Sequence, residues 1–147
     1  MSKKKFLVIN GVNLNMLGIR EPGVYGNNTL ADLEKYIAEN AQKLGVEVEC
    51  FQSNYEGAIC EAIHKAYQNV DGIIINPGAF THYSYAIRDA LGSVKIPTVE
   101  VHISDIHSRE EFRHTSVIVD ECIHQVCGRG FKGYIDAMEA LIDAIEN

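Results

Sequence analysis

Gly72 to Ile75 reads GIII, a stretch with no polar side chain and therefore no face that can meet water. A strand of this kind must be covered on both sides, which is the signature of a parallel sheet sandwiched between helices. The rest of the chain agrees. Lys5–Asn10 (KFLVIN) is a short apolar run, predicting a first strand. Leu30, Leu33, Ile37, Ala41 and Leu44 recur at helical spacing, with Thr29 and Asp32 set as a capping box and Gly45 placed to end the helix. Val46–Phe51 (VEVECF) alternates as a second strand. Ser53 with Glu56 signals another cap, and Ile59, Ile63, Ala66 and Tyr67 mark the helix behind it.

After GIII, residues Ala86, Ile87, Ala90 and Leu91 predict a third helix closed by Gly92. Pro97–Ile103 (PTVEVHI) predicts a fourth strand and Ser116–Val119 (SVIV) a fifth. Phe131, Tyr134, Ile135, Met138, Leu141, Ile142 and Ile145 form the apolar stripe of a long last helix. Strands alternating with helices predict an α/β fold with a parallel sheet covered on both faces, and five strands at this length suggest, by fold-level precedent, a flavodoxin-like three-layer sandwich of order 2-1-3-4-5. A length of 147 residues suits one domain over 1–147.

Composition removes several classes of function. Net charge is −7, a field that repels nucleic acid and anionic membranes. No apolar run reaches the about 18 residues that a membrane helix needs. The start, MSKKKFLVING, has a basic segment, but its apolar stretch is too short for a secretory signal. Cys50, Cys60, Cys122 and Cys127 make no C-x-x-C pair and read as reduced thiols of a cytoplasmic protein, with a Cys122–Cys127 disulfide as the alternative.

In an open parallel sheet, ligands bind beyond the carboxyl ends of the strands. Asn13, Asn15, Arg20 and Tyr25 follow the first strand; Asn76, Gly78 and His82 follow the third; His102, Ser104, Arg109 and Arg113 follow the fourth. In the predicted order these three strands are neighbours, so their loops converge. Each feature also has a plain structural reading. NPGAF (76–80) can be a turn, His82 a helix cap, His102 a histidine satisfied at a strand end, and SREEFR (108–113) a solvated face. His64 and His124 are read as structural. His102, Asp105, His107 and His114 are close in sequence, but their spacing fits no established zinc pattern. Neither a P-loop nor a G-x-G-x-x-G motif follows the first strand.

Arginines suit a carboxylate, and asparagine and histidine suit hydroxyls, so the collection fits a small polyhydroxylated anion. The loop over residues 12–28 is longer than the two to six residues or so that join a strand to a helix. It carries Arg20 and Tyr25. A free phenol, with a pKa near 10, is a poor base at neutral pH; lowering that by about two takes roughly 2.7 kcal/mol of differential interaction. One close guanidinium, from Arg20 or Arg109, can supply it, which makes Tyr25 a candidate general base.

Four stretches, NGVNLNMLGIREPGVYG, NPGAFTHYS, EVHISDIHSREEFR and GFKGY, occur in an order that closely resembles the type II 3-dehydroquinate dehydratases, and the resemblance runs from about Phe6 into the last helix. It implies dehydration of 3-dehydroquinate to 3-dehydroshikimate by anti elimination through an enolate, in the shikimate pathway or in quinate breakdown, with no metal, cofactor or Schiff base. It implies that Tyr25 removes the proton beside the ketone while Arg20 keeps the tyrosine reactive. Asn13 holds the water that stabilises the enolate oxygen. His102 protonates the leaving hydroxyl, and Glu100 orients it. Asn76, the backbone of Ile103 and Ser104 resemble the carboxylate site; His82 and Arg113 resemble contacts to ring hydroxyls, and Arg109 belongs to the closing lid. The family forms homododecamers built from trimers, in which Asp89 is expected to complete a neighbour's site. The chain departs from the family at Val12, where proline is usual and would fix the backbone ahead of Asn13, and at Tyr83, where a small residue is expected and which is read as a subunit contact. Two rival readings are a flavodoxin-like binding module for flavin or another small ligand, and a relative without activity kept for its assembly.

Overall fold

The structure is a computed structural model that describes residues 3–19, 23 and 26–146. Arg20 and Tyr25 lie outside the described residues. The strands are β1 (Lys5–Asn10), β2 (Glu47–Gln52), β3 (Gly72–Asn76), β4 (Thr98–His102) and β5 (His124–Cys127). The helices are α1 (Leu30–Leu44), α2 (Glu56–Ala66), α3 (Tyr85–Val94) and α4 (Lys132–Glu146). All strand pairs are parallel, in the order β2-β1-β3-β4-β5, as expected for α/β alternation.

Side chains alternate across the sheet. Phe6, Val8, Ile74, Val99, Val101 and Val126 pack with Leu33 and Ile37 of α1 and Tyr134, Met138 and Leu141 of α4. Leu7, Ile9, Ile73 and Ile75 pack with Ile59 and Ile63 of α2 and Ile87 and Leu91 of α3. Burying an isoleucine stabilises by about 1.5–3 kcal/mol, so the central GIII strand, buried along its whole length, anchors both layers.

Helix α1 starts with the predicted capping box: Thr29 Oγ1 accepts from the Asp32 N–H (3.2 Å), and the Asp32 carboxylate accepts from the Thr29 N–H (2.9 Å). It ends at Gly45, whose φ of 74° is the left-handed conformation that glycine adopts without steric penalty.

Three local expectations are corrected. Ser53 does not cap α2: its hydroxyl accepts from Tyr55 N–H (3.0 Å), and Glu56 instead accepts from the hydroxyl of Ser84 (2.5 Å), the residue that caps α3. Gly92 does not close α3, which runs on to Val94 with Lys95 in the left-handed cap; Gly92 is where the helix passes the Glu121 carboxylate. Ser116–Val119 is not the fifth strand. Its backbone is drawn off the sheet, with the Val117 N–H on Thr81 O (2.7 Å) and the Val117 carbonyl held by Arg88 (3.0 Å), and Ile118 sinks into the α2–α3 layer. The edge place falls to the half-polar His124–Cys127 segment.

All four cysteines are free thiols. Burial, with nearby carboxylates adding to it, pushes Cys50 and Cys127 up to about 11, so neither is a thiolate at neutral pH. Among the described residues, no helix is long and apolar enough to cross a membrane.

Candidate active site

The loops after β1, β3 and β4 meet above the carboxyl edge of the sheet. The first two touch backbone to backbone. The Gly11 N–H donates to Asn76 O (2.7 Å), and a Cβ on Gly11 would lie 2.3 Å from Pro77 O. Gly78, at φ 65°, would place a Cβ 2.5 Å from Val12 O. Asn13 is itself left-handed (φ 69°), a conformation asparagine tolerates better than most residues. Its N–H donates to Asn54 Oδ1 (2.9 Å); Gln52 Nε2 donates to the same oxygen and to Gly11 O, each at 3.1 Å. Where a proline would set the backbone at position 12, these bonds from the end of β2 hold it.

Strand β4 supplies the core of the site. Glu100 is fully buried, and its carboxylate accepts four hydrogen bonds. Oε2 takes Thr81 Oγ1 and His102 Nε2, both at 2.5 Å; Oε1 takes Ser116 Oγ (2.8 Å) and Gln125 Nε2 (3.1 Å). Burial alone pushes the Glu100 carboxyl up, but the hydrogen bond and charge of His102, with the two hydroxyls, outweigh it and hold the group below its usual range. Glu100 is therefore an anion, and His102 must donate to it through Nε2. That leaves Nδ1 as the nitrogen available to a ligand.

His82 gives its Nδ1–H to Thr115 O (2.7 Å). Burial, helped by His102 and Arg113, lowers its pKa, so it is neutral at pH 7 with Nε2 free to accept from a hydroxyl. Asn76 is held at both ends: Oδ1 accepts from Gly78 N–H (3.1 Å), and Nδ2 donates to Tyr134 Oη (3.0 Å). Beyond β4, Arg109 reaches toward Ser104 Oγ (3.5 Å). Arg113 pairs with Glu110 (3.2 Å) and lies 4.7 Å over the Phe112 ring.

Asn13, Asn76, Gly78, His82, His102, Ile103, Ser104, Arg109 and Arg113 all line one cleft. Two histidines and two arginines thus gather at one opening, hydrogen-bonding groups that suit a small hydroxylated anion. Asn15 is exposed and outside the wall, Glu100 lies behind His102, and Asp89 sits on the exposed surface of α3. Among the described residues, no three His, Cys, Asp or Glu side chains gather in a way that could hold a metal ion. His114 spends its Nε2–H on Arg109 O (2.9 Å).

Sequence reasoning missed the polar residues behind the wall: buried Thr81 with half-buried Ser116 and Gln125 around Glu100, and buried Asn10 and Tyr134 behind Asn76. The spacing of β3 does place Thr81 just past its end, but no local pattern announces Tyr134, whose position on the apolar stripe of α4 reads as core.

The family model described as Dehydroquinase class II matches residues 4–142. A 3-dehydroquinate dehydratase of Lachnospira eligens is 62% identical over 141 residues, covering 95% of this chain and 96% of its own. One from Caldicellulosiruptor bescii is 60% identical over 144 residues, covering 97% and 99%. The crystal structure of a type II dehydroquinase from Butyrivibrio crossotus superposes with a TM-score of 0.95 at 56% identity, covering 97% of this chain and 99% of that one.

Proposed function

This chain belongs to the class II dehydroquinase family, the 3-dehydroquinate dehydratases, and we propose from that premise how its own residues divide the reaction. The substrate is 3-dehydroquinate, and the product is 3-dehydroshikimate plus water, serving the shikimate pathway or quinate breakdown. Tyr25, made reactive by Arg20, takes a proton from the carbon beside the ketone. The electron pair moves onto the ketone oxygen as an enolate, stabilised through a water that Asn13 holds. Collapse of the enolate expels the hydroxyl on the opposite face, and His102 delivers the proton that makes it water. Asn76, the Ile103 backbone and Ser104 hold the carboxylate, His82 and Arg113 the ring hydroxyls, and Arg109 closes the site.

The observation that carries this reading is the Glu100–His102 pair. A buried anion 2.5 Å from Nε2 fixes the tautomer and orientation of the ring, and stabilises the imidazolium a general acid needs. The neutral His82 and the two arginines at the same opening fit a polyhydroxylated carboxylate.

The test is the ultraviolet absorbance of the conjugated enone formed from 3-dehydroquinate, in the presence of chelator, with wild type, Tyr25→Phe and His102→Ala. Enone from the wild type alone supports both assignments. Undiminished activity in Tyr25→Phe overturns the base, and in His102→Ala the acid.

We take residues 1–147 as one domain, since β1 to β5 form a single sheet and α4 packs against it. Its free thiols suit the reducing cytoplasm. The working form is a homododecamer of trimers. Support comes from Tyr55, Tyr83 and Tyr85, exposed by 76%, 58% and 65% at the starts of α2 and α3, where Glu56 and Ser84 join the two helices. Asp89 is exposed on α3 too, and we assign it to a neighbour's cleft. Sedimentation of wild type and activity of Asp89→Ala test this: a fully active monomer rules it out.

A further inference from the structure

Tyr134 is fully buried in α4, and its hydroxyl ends behind Asn76, a residue of the cleft wall. It donates to Asn10 Oδ1 (2.6 Å) and accepts from Asn76 Nδ2 (3.0 Å), linking residues 124 and 58 positions away. We propose that Tyr134 is a positioning residue for substrate binding: held by Asn10, it pins the Asn76 amide so that an N–H, not a carbonyl, meets the substrate's carboxylate. The proposal rests on the assignment of Asn76 to that carboxylate.

An amide has two ends of similar shape and opposite polarity, and a free one can flip. The end of Asn76 at Tyr134 must be the NH₂, because the phenol spends its only proton on Asn10. Burial pushes the phenol well above its ordinary pKa, so that proton stays in place at neutral pH. The other end is fixed by the Gly78 N–H on Oδ1. Both ends are therefore assigned. One proton of the NH₂ goes to Tyr134, and the second is left to donate to a ligand. A flipped amide would turn its carbonyl toward the substrate's negative charge.

The pair is also a poor way to fill space. Asn10 is fully buried, so its amide is taken out of water at a desolvation cost that an apolar side chain would not carry. An apolar pair at 10 and 134 would pack the same volume without it. The hydroxyl and its support thus answer to Asn76 and not to the core.

The experiment compares KM, kcat and thermal midpoint for wild type, Tyr134→Phe, Asn10→Leu/Tyr134→Phe, Asn76→Ala and Asn76→Ala/Tyr134→Phe, with 3-dehydroquinate as substrate. Tyr134→Phe is expected to raise KM about tenfold, the size of losing one oriented hydrogen bond to a charged group, with kcat within about threefold. Asn10→Leu/Tyr134→Phe is expected to recover the thermal midpoint while KM stays high. In the Asn76→Ala background, Tyr134→Phe should add less than about twofold, since the two act through one contact. A KM that returns to wild type along with the thermal midpoint in the apolar pair overturns the proposal, as does a full Tyr134→Phe effect without Asn76. Asn76→Ala raising KM while Tyr134→Phe does not overturns the positioning alone. Asn76→Ala with an unchanged KM overturns the carboxylate assignment itself. Should Tyr134→Phe fail to fold, the apolar pair carries the same comparison.

Discussion

Asn54, just past the end of β2, holds the backbone of Asn13: its Oδ1 accepts the Asn13 N–H at 2.9 Å, across 41 positions of sequence. Asn13 needs such a hold because it is left-handed and follows Val12, whose backbone is free to turn. Asn54→Ala should lower kcat by about fivefold, the equivalent of one hydrogen bond of about 1 kcal/mol, with KM little changed. Asn54→Asp keeps the acceptor and should lose less. Steady-state kinetics on both variants check this; equal losses from the two would dissociate the bond from the rate.

Glu100→Gln keeps the shape but removes the anion behind His102. The predicted fall in kcat is about 10²-fold, within the range for disabling an acid–base group. The acid side of the stability curve should change as well. Because the Glu100 pKa is lowered on folding, ionised Glu100 stabilises the fold above its unfolded pKa of about 4.3, and this is lost as pH falls through the lower folded value. The variant should therefore lose less of its thermal midpoint than wild type below about pH 4. Parallel midpoint curves would remove Glu100 from the acid response.

Gly78→Ala meets two obstacles at once. The φ of 65° strains any L side chain, and the new Cβ would sit 2.5 Å from Val12 O, a backbone atom that cannot swing aside. A loss of about 1–3 kcal/mol in stability is expected, with Asn13 and Asn76 forced apart and activity reduced with it. Denaturant unfolding and kcat/KM measure the two effects. An active, fully stable variant would show that the loops have slack.

Ile74→Ala removes a side chain from the centre of GIII and should cost about 2–5 kcal/mol in urea unfolding without changing KM in the folded enzyme. A cost below about 1 kcal/mol would mean that α1 and α4 collapse onto the gap.

Local chemistry made most of this molecule readable. Lys5–Asn10 and GIII are legible as strands because their apolar runs have no other use, and the Thr29–Asp32 box because capping is settled within four residues. The carboxyl-edge residues could be grouped because alternation implies a parallel sheet, and the order 2-1-3-4-5, taken from fold-level precedent, sets the first, third and fourth strands side by side. What escaped depends on distant partners. SVIV has the composition of a strand, but Thr81 and Arg88 take its backbone, while the plainer His124–Cys127 segment wins the place beside β4. Tyr134 fits an apolar stripe, and only the folded chain brings Asn10 and Asn76 to its hydroxyl. Arg20 and Tyr25 were legible by resemblance, and their geometry lies outside the described residues.

The saturation of Glu100 has a consequence for bookkeeping of protons. A carboxylate offers about four lone-pair directions, and Thr81, His102, Ser116 and Gln125 occupy them. To accept a proton it would have to give up one of those donors. For His102 in the proposed role of acid, the proton given up in one turnover would then be replaced through the ring's other nitrogen, from the cleft side, which would tie the resetting of the acid to the emptying and refilling of the same opening that admits substrate.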